Sequence, residues 1–402
     1  MGDVVVIGAG QAGASLTARL RAKGFEGGIT LVGAEPAPPY QRPPLSKAYL
    51  LGDMARERLF LRPEAFYDEQ GIELVTGDPA IAVDRKARTV IAAGREISYD
   101  DLVFCTGATP RQLPASVGGD LEGVVTVRTI ADVDAMRARF APGARVLIVG
   151  GGYIGLEAAA VAAKLGLEVT LVEMAERILQ RVASPETSEY FRELHAGHGV
   201  TLREGVGLGR LTGTGGRVTG AELTDGSSLE VDFVIVGAGI LPEIALAETA
   251  GLDIENGIRT DDRGRTSDPQ VWAAGDCASF PWQGERIRLE SVGNAIDMAE
   301  AVADNIMGAD KPYTAKPWFW SDQYDVKLQI AGLNTGYDRV VVRDGGAARS
   351  HWYYAGDRLL ALDAMNDPRA YMVGKRLIEA GKSPAPEAVA DPDGDLKALL
   401  KA

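Results

Sequence analysis

Two glycine-rich segments dominate what this 402-residue sequence can do chemically. Gly8-Ala9-Gly10-Gln11-Ala12-Gly13 and Gly150-Gly151-Gly152-Tyr153-Ile154-Gly155 carry glycine at the same three positions. The first glycine permits a tight turn, the second lets backbone N–H groups reach a pyrophosphate, and the third lets a helix pack on a strand. A helix N-terminus behind such a turn favours the phosphate charge. An acidic residue follows each segment: Glu35 lies 22 residues after Gly13, and Glu173 lies 18 after Gly155. A carboxylate there accepts ribose hydroxyls and repels a 2′-phosphate, so Glu173 points to NADH over NADPH. Arg177 and Arg181 are the nearby cations that could reverse that choice. Two complete contexts in one chain imply two dinucleotides rather than two empty turns.

The surrounding pattern supplies the elements that position these turns. Val4–Ile7 and Val146–Val149 are short apolar runs that read as buried parallel strands. Helices should follow each turn and stop at Gly24 and Gly166, and 29–32 and 169–172 should form the next strands. Further strand-like runs end in glycine: 102–105 before Thr106-Gly107, 233–236 before Gly237-Ala238-Gly239, and 271–274 before Gly275-Asp276. Asp276, at the end of such a run, is placed either for a cofactor or as a helix cap. From Tyr313 the sequence turns aromatic, with strand-like runs at 327–330, 340–342, 352–354 and 359–362 and helices at 367–380 and 396–400. The fold class expected is α/β, with two Rossmann-like dinucleotide-binding domains and an α+β C-terminal domain.

Composition excludes other classes. A net charge of −14 argues against nucleic acid and against an anionic membrane surface. No run approaches the roughly 18 apolar residues of a membrane span. The opening MGDVVVIGAG lacks a signal-peptide pattern, so a cytoplasmic protein is expected. Two cysteines and three histidines leave no scope for a disulfide scaffold and little for a metal centre, and no metal is expected.

The segments VVVIGAGQAG, PYQRPPLSKAYL, TGATPR, GGGYIGLEAAA, TSDPQVWAAGDCA, ESVGNA and PWFWSDQY run in order from residue 4 to 324. With them the chain resembles the NADH-dependent, FAD-containing ferredoxin reductases of oxygenase systems, of the putidaredoxin reductase and biphenyl-dioxygenase ferredoxin reductase type. The resemblance implies a glutathione-reductase-like architecture. Its FAD-binding domain would span 1–113 and 238–312, its NAD-binding domain 114–237 and its C-terminal domain 313–402. It implies FAD contacts at Gly8, Gly10, Ala12, Gly13, Glu35, Arg42, Ala80, Thr106, Gly107, Arg128, Asp276 and Val292. NADH would meet Gly150, Gly152, Tyr153, Ile154, Gly155, Glu173 and Gly239. Arg42 and Arg128 could otherwise be surface charges, and Val292 plain core.

The same resemblance gives Lys47 a place beside the flavin N5, paired with Glu157 in the first turn of the NAD-domain helix. A cation there stabilises an anionic reduced flavin, and its carboxylate orients it. The residues alone would equally allow a solvated lysine and a helix glutamate favoured by the dipole. Tyr153 either gates the nicotinamide pocket or packs, and Trp320 either sits near the flavin on the partner side or in the core.

The implied activity passes electrons from NADH through FAD to a [2Fe–2S] ferredoxin serving a haem monooxygenase or ring-hydroxylating dioxygenase. The alternatives are an NADH-responsive flavoprotein with a signalling or binding role, or a rubredoxin reductase. A disulfide or peroxide reductase needs a thiolate beside the flavin, and no cysteine falls in 35–50. The ferredoxin complex is expected to be transient and electrostatically steered, the enzyme itself a monomer or weak dimer. Candidate docking cations are Arg286, Arg288, Lys311, Lys316, Lys327 and Arg339, among interspersed acidic residues.

Overall fold

A computed structural model describes residues 2–401. The chain divides into two compact units: residues 1–42, 55–109 and 240–317 form the first, and 43–54, 110–239 and 318–402 the second.

The first unit is built on a five-stranded parallel sheet. Its strand order is Val271–Ala273, Asp101–Phe104, Val4–Ile7, Ile29–Gly33 and Ile72–Thr76. Val4–Ile7 is buried along its whole length because sheet neighbours and helices cover it on every side. It is also the strand at which the order of connection reverses, so its C-terminal end opens on a crevice. The Gln11–Ala22 helix starts there and packs along the Val292–Ile306 helix. Leu16, Leu20, Met298, Ala299 and Val302 are buried in the same core as the sheet.

The second unit repeats the plan. Thr201–Glu204, Glu168–Glu173, Arg145–Val149, Phe233–Val236 and Val124–Val125 form its parallel sheet, and Arg145–Val149 again marks the reversal. The Tyr153–Lys164 helix follows, rich in alanine because its buried positions 158–162 leave little room. This unit also holds a five-stranded antiparallel sheet ordered Trp318–Gln323, Val326–Gly332, Arg358–Met365, Ala348–Ala355 and Arg339–Gly345. The Pro368–Glu379 helix, capped by Asp367, closes one face of that sheet, its Leu377 buried in one cluster with Trp352 and Leu362. Val326, Leu328 and Met365 join Leu156, Ala159, Phe191 and Ile148 in one buried cluster, which ties this sheet to the nucleotide-type fold.

The strand runs expected from the sequence all fall on observed strands, with ends shifted by a few residues. Among the elements that had gone unread, three carry clear local signals. The Pro185–Gly197 helix begins with Ser184 as cap and proline at its first position. The Val292–Ile306 helix is capped by Ser291. Trp318–Gln323 is the first strand of the antiparallel sheet.

A buried polar cluster locks the Pro185–Gly197 helix to the antiparallel sheet. Thr187 donates to Asp363 Oδ2 at 2.8 Å and lies 2.7 Å from His351 Nδ1, while Tyr353 also donates to Asp363. Burial raises the Asp363 carboxyl to about 6 and lowers His351 and His195 to about 4. Below pH 6.5 the unfolded chain takes up two protons that the folded histidines refuse, so stability falls with pH. Folded Asp363 takes up one proton below about pH 6 and offsets part of that loss. Between pH 7 and 5 these three groups together cost about 2 kcal/mol of stability. The melting temperature should therefore drop by a few degrees over that interval in scanning calorimetry. A flat or rising melting temperature would contradict the burial assigned to the two histidines.

Candidate functional site

In both glycine-rich turns the three glycines have different reasons to be glycine. A Cβ on Gly8 would lie 2.1 Å from the Cys105 carbonyl oxygen, and one on Gly13 would lie 2.1 Å from the Gly8 carbonyl oxygen. Gly150 and Gly155 repeat this, at 2.5 Å from the Gly237 oxygen and 2.0 Å from the Gly150 oxygen. These four close the turn and let helix and strand approach. The middle glycines differ: a Cβ on Gly10 or Gly152 would meet no protein atom within 4 Å. Both also have extended backbone angles that any residue adopts. Neither packing nor conformation requires glycine there.

Gly10 and Gly152 are also the N-cap residues of their helices, and no side chain caps either helix. Each turn therefore presents first-turn N–H groups to space kept clear of side chains. That is what a dinucleotide pyrophosphate needs. The residues present fit two such groups, one in each unit.

In the first unit, Gly275 brings its neighbour Asp276 to this helix start, since a Cβ on Gly275 would lie 3.1 Å from Ala12 Cβ. The Val292–Ile306 helix begins beside the same place, with Ala295 3.8 Å from that Cβ position. Thr106 and Gly107 end the neighbouring strand. The Thr106 hydroxyl donates to the Glu243 carbonyl at 2.5 Å, and Gly107 takes a positive φ of 71°. Glu35 follows the Ile29–Gly33 strand and accepts from Tyr40 Oη and from the Arg42 guanidinium, each at 2.6 Å. Arg42 is thus brought to Glu35 rather than left as an isolated surface charge. Ala80 is partly buried against the core, and its neighbour Ile81 is exposed.

In the second unit, Glu173 ends the Glu168–Glu173 strand with its carboxylate under the glycine turn. It accepts from the Gly151 N–H at 2.7 Å and the Ala175 N–H at 2.8 Å. Met174, its chain neighbour, and Ile154, in the first turn of the Tyr153–Lys164 helix, are 79 % and 43 % exposed, apolar surfaces that a bound nucleotide would cover. Arg177 is committed elsewhere: it donates to the Ser184 carbonyl at 3.2 Å and the Ser188 hydroxyl at 2.5 Å. Gly239 lies 3.9 Å, measured from its would-be Cβ, from both Arg111 and Arg181. The Arg128 backbone N–H donates to Asp132 Oδ2 at 3.1 Å, at the start of the Ile130–Arg137 helix.

Lys47 and Glu157 meet in this same unit. Lys47 Nζ donates to Glu157 Oε2 at 2.6 Å, with the lysine side chain 18 % and the carboxylate 2 % exposed. Glu157 is the fifth residue of the Tyr153–Lys164 helix, so it lies beyond the first turn, where sequence spacing had placed it. Burial at that depth needs donors, and three are present. Ser46 gives Oε2 a second bond at 2.6 Å, and Ser321 donates to Oε1 at 2.7 Å. Neither serine stood out in the sequence. Ser46 precedes Lys47 in the short 3-10 turn Pro43–Ser46, and Ser321 comes from the Trp318–Gln323 strand.

Alternation along that strand sorts its residues. Phe319, Ser321 and Gln323 face the Tyr153–Lys164 helix side, where Phe319 packs on Tyr153 with ring centroids 4.8 Å apart. Trp318 and Trp320 face the other way, stacked at 5.5 Å, beside a groove of about 240 Å³ that Lys327, Gln329 and Tyr371 also line. Tyr153 packs against Phe319 in this structure, and Trp320 is partly exposed at a groove.

Among the candidate docking cations, Arg286 and Arg288 are taken up internally. Arg286 donates to the Ser279 and Thr260 carbonyls, and Arg288 to the Asn256 and Asp276 carbonyls and to Glu290. Lys327 stays exposed at the tryptophan groove, and Arg339 lies over the Tyr354 ring. Both cysteines are buried and free, and burial pushes both thiols up, so neither suits thiolate chemistry. No group of histidine, cysteine and acidic side chains that could hold a metal occurs among the described residues. Nor is any described helix long and apolar enough to cross a membrane.

Two nucleotide-type folds with these turns define a two-dinucleotide oxidoreductase, and residues 2–299 match the family model described as pyridine nucleotide-disulphide oxidoreductase. The chain belongs to that family, and residues 318–400 match a second model, described as reductase C-terminal. It is 46 % identical over 405 residues to a ferredoxin–NAD(P)(+) reductase of Sphingomonas sp, covering 99 % of this chain and 97 % of that one. It is 40 % identical to putidaredoxin reductase CamA of Pseudomonas putida over 410 residues, covering 100 % and 97 %. A crystal structure of the covalent putidaredoxin reductase–putidaredoxin complex superposes with a TM-score of 0.96 at 39 % identity, covering 99 % of this chain and 98 % of that one.

The middle glycines give a direct test. Gly152→Ala should leave the melting temperature within about a degree, since the added Cβ meets no protein atom within 4 Å. It should weaken NADH binding by at least roughly tenfold in a fluorescence titration. An unchanged affinity would remove the nucleotide from this turn.

Proposed function

We propose that this chain is an NADH-dependent ferredoxin reductase of an oxygenase system, holding FAD in its first unit and NADH in its second. The carrying observation is the pair of uncapped helix starts whose middle glycines face space that no protein atom needs. Bound FAD supplies the change from a two-electron donor to one-electron acceptors. The protein supplies position and charge.

In the first unit, Gly10, Ala12 and Gly13 offer backbone to the FAD pyrophosphate, with Gly8 closing the turn. Glu35, steadied by Tyr40 and Arg42, takes the adenosine ribose, and Asp276 the ribityl chain. Thr106, Gly107, Ala80 and Val292 complete the contacts assigned in this unit. Glu173 selects NADH: its two backbone donors hold both oxygens in place, leaving their remaining lone pairs for ribose hydroxyls. The same charge repels the 2′-phosphate of NADPH, and Arg177 is not free to neutralise it. Lys47 provides the fixed cation that favours negative charge arising in the reaction, and Glu157 holds it.

The acceptor is a small [2Fe–2S] ferredoxin, engaged briefly and with electrostatic steering. Trp320 and the adjoining Lys327 are the docking-side residues assigned to it, and the one-electron partner accounts for a site with no accessible thiol. The protein works in the cytoplasm, as a monomer or weak dimer.

Anaerobic NADH should bleach the yellow holoprotein at least tenfold faster than NADPH, with Glu173→Arg narrowing that ratio by about tenfold. Equal rates in the unaltered protein would sink the assignment of Glu173. Steady-state turnover against a panel of small ferredoxins and a rubredoxin tests the acceptor. Fast flavin reduction with no turnover on any of them would overturn the reductase reading.

A further inference from the structure

Beyond Ser321, hydrogen bonds continue in a single line away from Glu157. Gln323 Nε2 lies 3.1 Å from Ser321 Oγ, His195 Nε2 lies 2.8 Å from Gln323 Oε1, and Tyr324 Oη lies 3.2 Å from His195 Nδ1. The line ends at an open groove of about 430 Å³ lined by Ala163, Lys164, His198, Tyr324 and Asp325. Four separate elements contribute to it: the Tyr153–Lys164 helix, the Trp318–Gln323 strand, the hairpin turn after it and the Pro185–Gly197 helix.

The direction of every bond in the line follows from its inner end. Glu157 faces the Lys47 ammonium as a carboxylate and can only accept, so Ser321 spends its one proton on Oε1. The group Gln323 turns to Ser321 must then be its amide N–H, which leaves its carbonyl oxygen facing His195. A carbonyl oxygen only accepts, so His195 carries its proton on Nε2. Its Nδ1 is left as the acceptor for the Tyr324 hydroxyl. All four donors point inward.

We propose that Tyr324, His195, Gln323 and Ser321 form a one-way hydrogen-bond chain that fixes the Glu157 carboxylate, with His195 as its positioning residue. The inference rests on the reading that Lys47 and Glu157 serve the NADH-oxidising site. The chain orients rather than conducts, because a glutamine amide does not readily hand on a proton. Two further observations agree. Tyr324 keeps a φ of +56°, an unfavourable conformation for a residue with a bulky side chain, in the turn that delivers its hydroxyl to His195. Burial lowers the His195 imidazolium to about 4, so the ring stays neutral at working pH. The charged and titratable groups around it are His198, which stacks on Tyr324 at 3.6 Å, and Lys164 and Asp325 at the groove. Burial also pushes the Tyr324 phenol up, which keeps it a donor.

The sequence has three histidines, so nitrogen-15 labelling of histidine in the holoprotein resolves each ring. Two-bond proton–nitrogen spectra should show His195 as the neutral Nε2–H form throughout pH 5.5 to 8. An Nδ1–H form, or an imidazolium forming in that range, would overturn the proposal without any variant. His195→Phe should slow flavin reduction by NADH about tenfold, while His195→Gln, which keeps an N–H near the Nε2 position, should retain at least about half the rate. Equal losses in both variants, or none in His195→Phe, would overturn it. In a Glu157→Gln background, His195→Phe should add less than about twofold, and a full multiplicative loss would show that His195 does not act through Glu157. Failure of NADH to reduce the unaltered protein would instead defeat the functional reading, and the tautomer measurement keeps the two failures apart.

Discussion

A carboxylate almost wholly withdrawn from water governs the second unit. Glu157 is 2 % exposed, and a charge at that depth is tolerated only when paired and fully hydrogen-bonded. Lys47, Ser46 and Ser321 meet that demand from two segments far away in sequence. The pair is therefore poor evidence for stability and good evidence for a role. An apolar pair of similar volume could fill the same space at no cost in packing.

The nucleotide turns obey the opposite constraint, that of keeping atoms away. Four of the six motif glycines are fixed because an added Cβ would fall 2.0 to 2.5 Å from a backbone oxygen, and these would be needed in any tight turn of this shape. The two middle ones are fixed by nothing inside the protein. They stand beside helix starts that no side chain caps, where the proposed dinucleotides would lie. Glu35 and Glu173 stand at matching strand ends but are held differently, one by Tyr40 and Arg42 and the other by backbone N–H groups.

Much of this was legible in the sequence because it is local. Strand, glycine turn, helix and acidic strand end follow one another within about 30 residues, and each step has a pattern. The serines around Glu157, Gln323 and His195 had no such signal. A serine's partner is set by tertiary packing, and His195 reads as one apolar-face position on a helix. Ser184-Pro185 and Ser291 did carry readable helix starts, and Trp318–Gln323 carried aromatic alternation that went unread as a strand. Arg286 and Arg288 show the converse: as sequence they are docking cations, and in the fold their hydrogen bonds are spent on backbone carbonyls and on Glu290. Lys327, beside Trp320, keeps its charge at the surface despite a chain that is acidic overall.

The chain passes from one unit to the other at 42/43, 54/55, 109/110, 239/240 and 317/318. Residues 43–54, which carry Ser46 and Lys47, are synthesised early yet belong with residues made much later. Glu157 cannot acquire its full set of partners until Ser321 has been translated, more than 270 residues after Ser46. Neither unit can then be cut out as a continuous fragment, and a piece beginning at residue 110 would strand a buried carboxylate without its cation. Long-range pairings of this kind slow folding, since distant segments must be brought together before their contacts repay the ordering. The residues assigned to the proposed chemistry are thus among those the chain must wait longest to assemble.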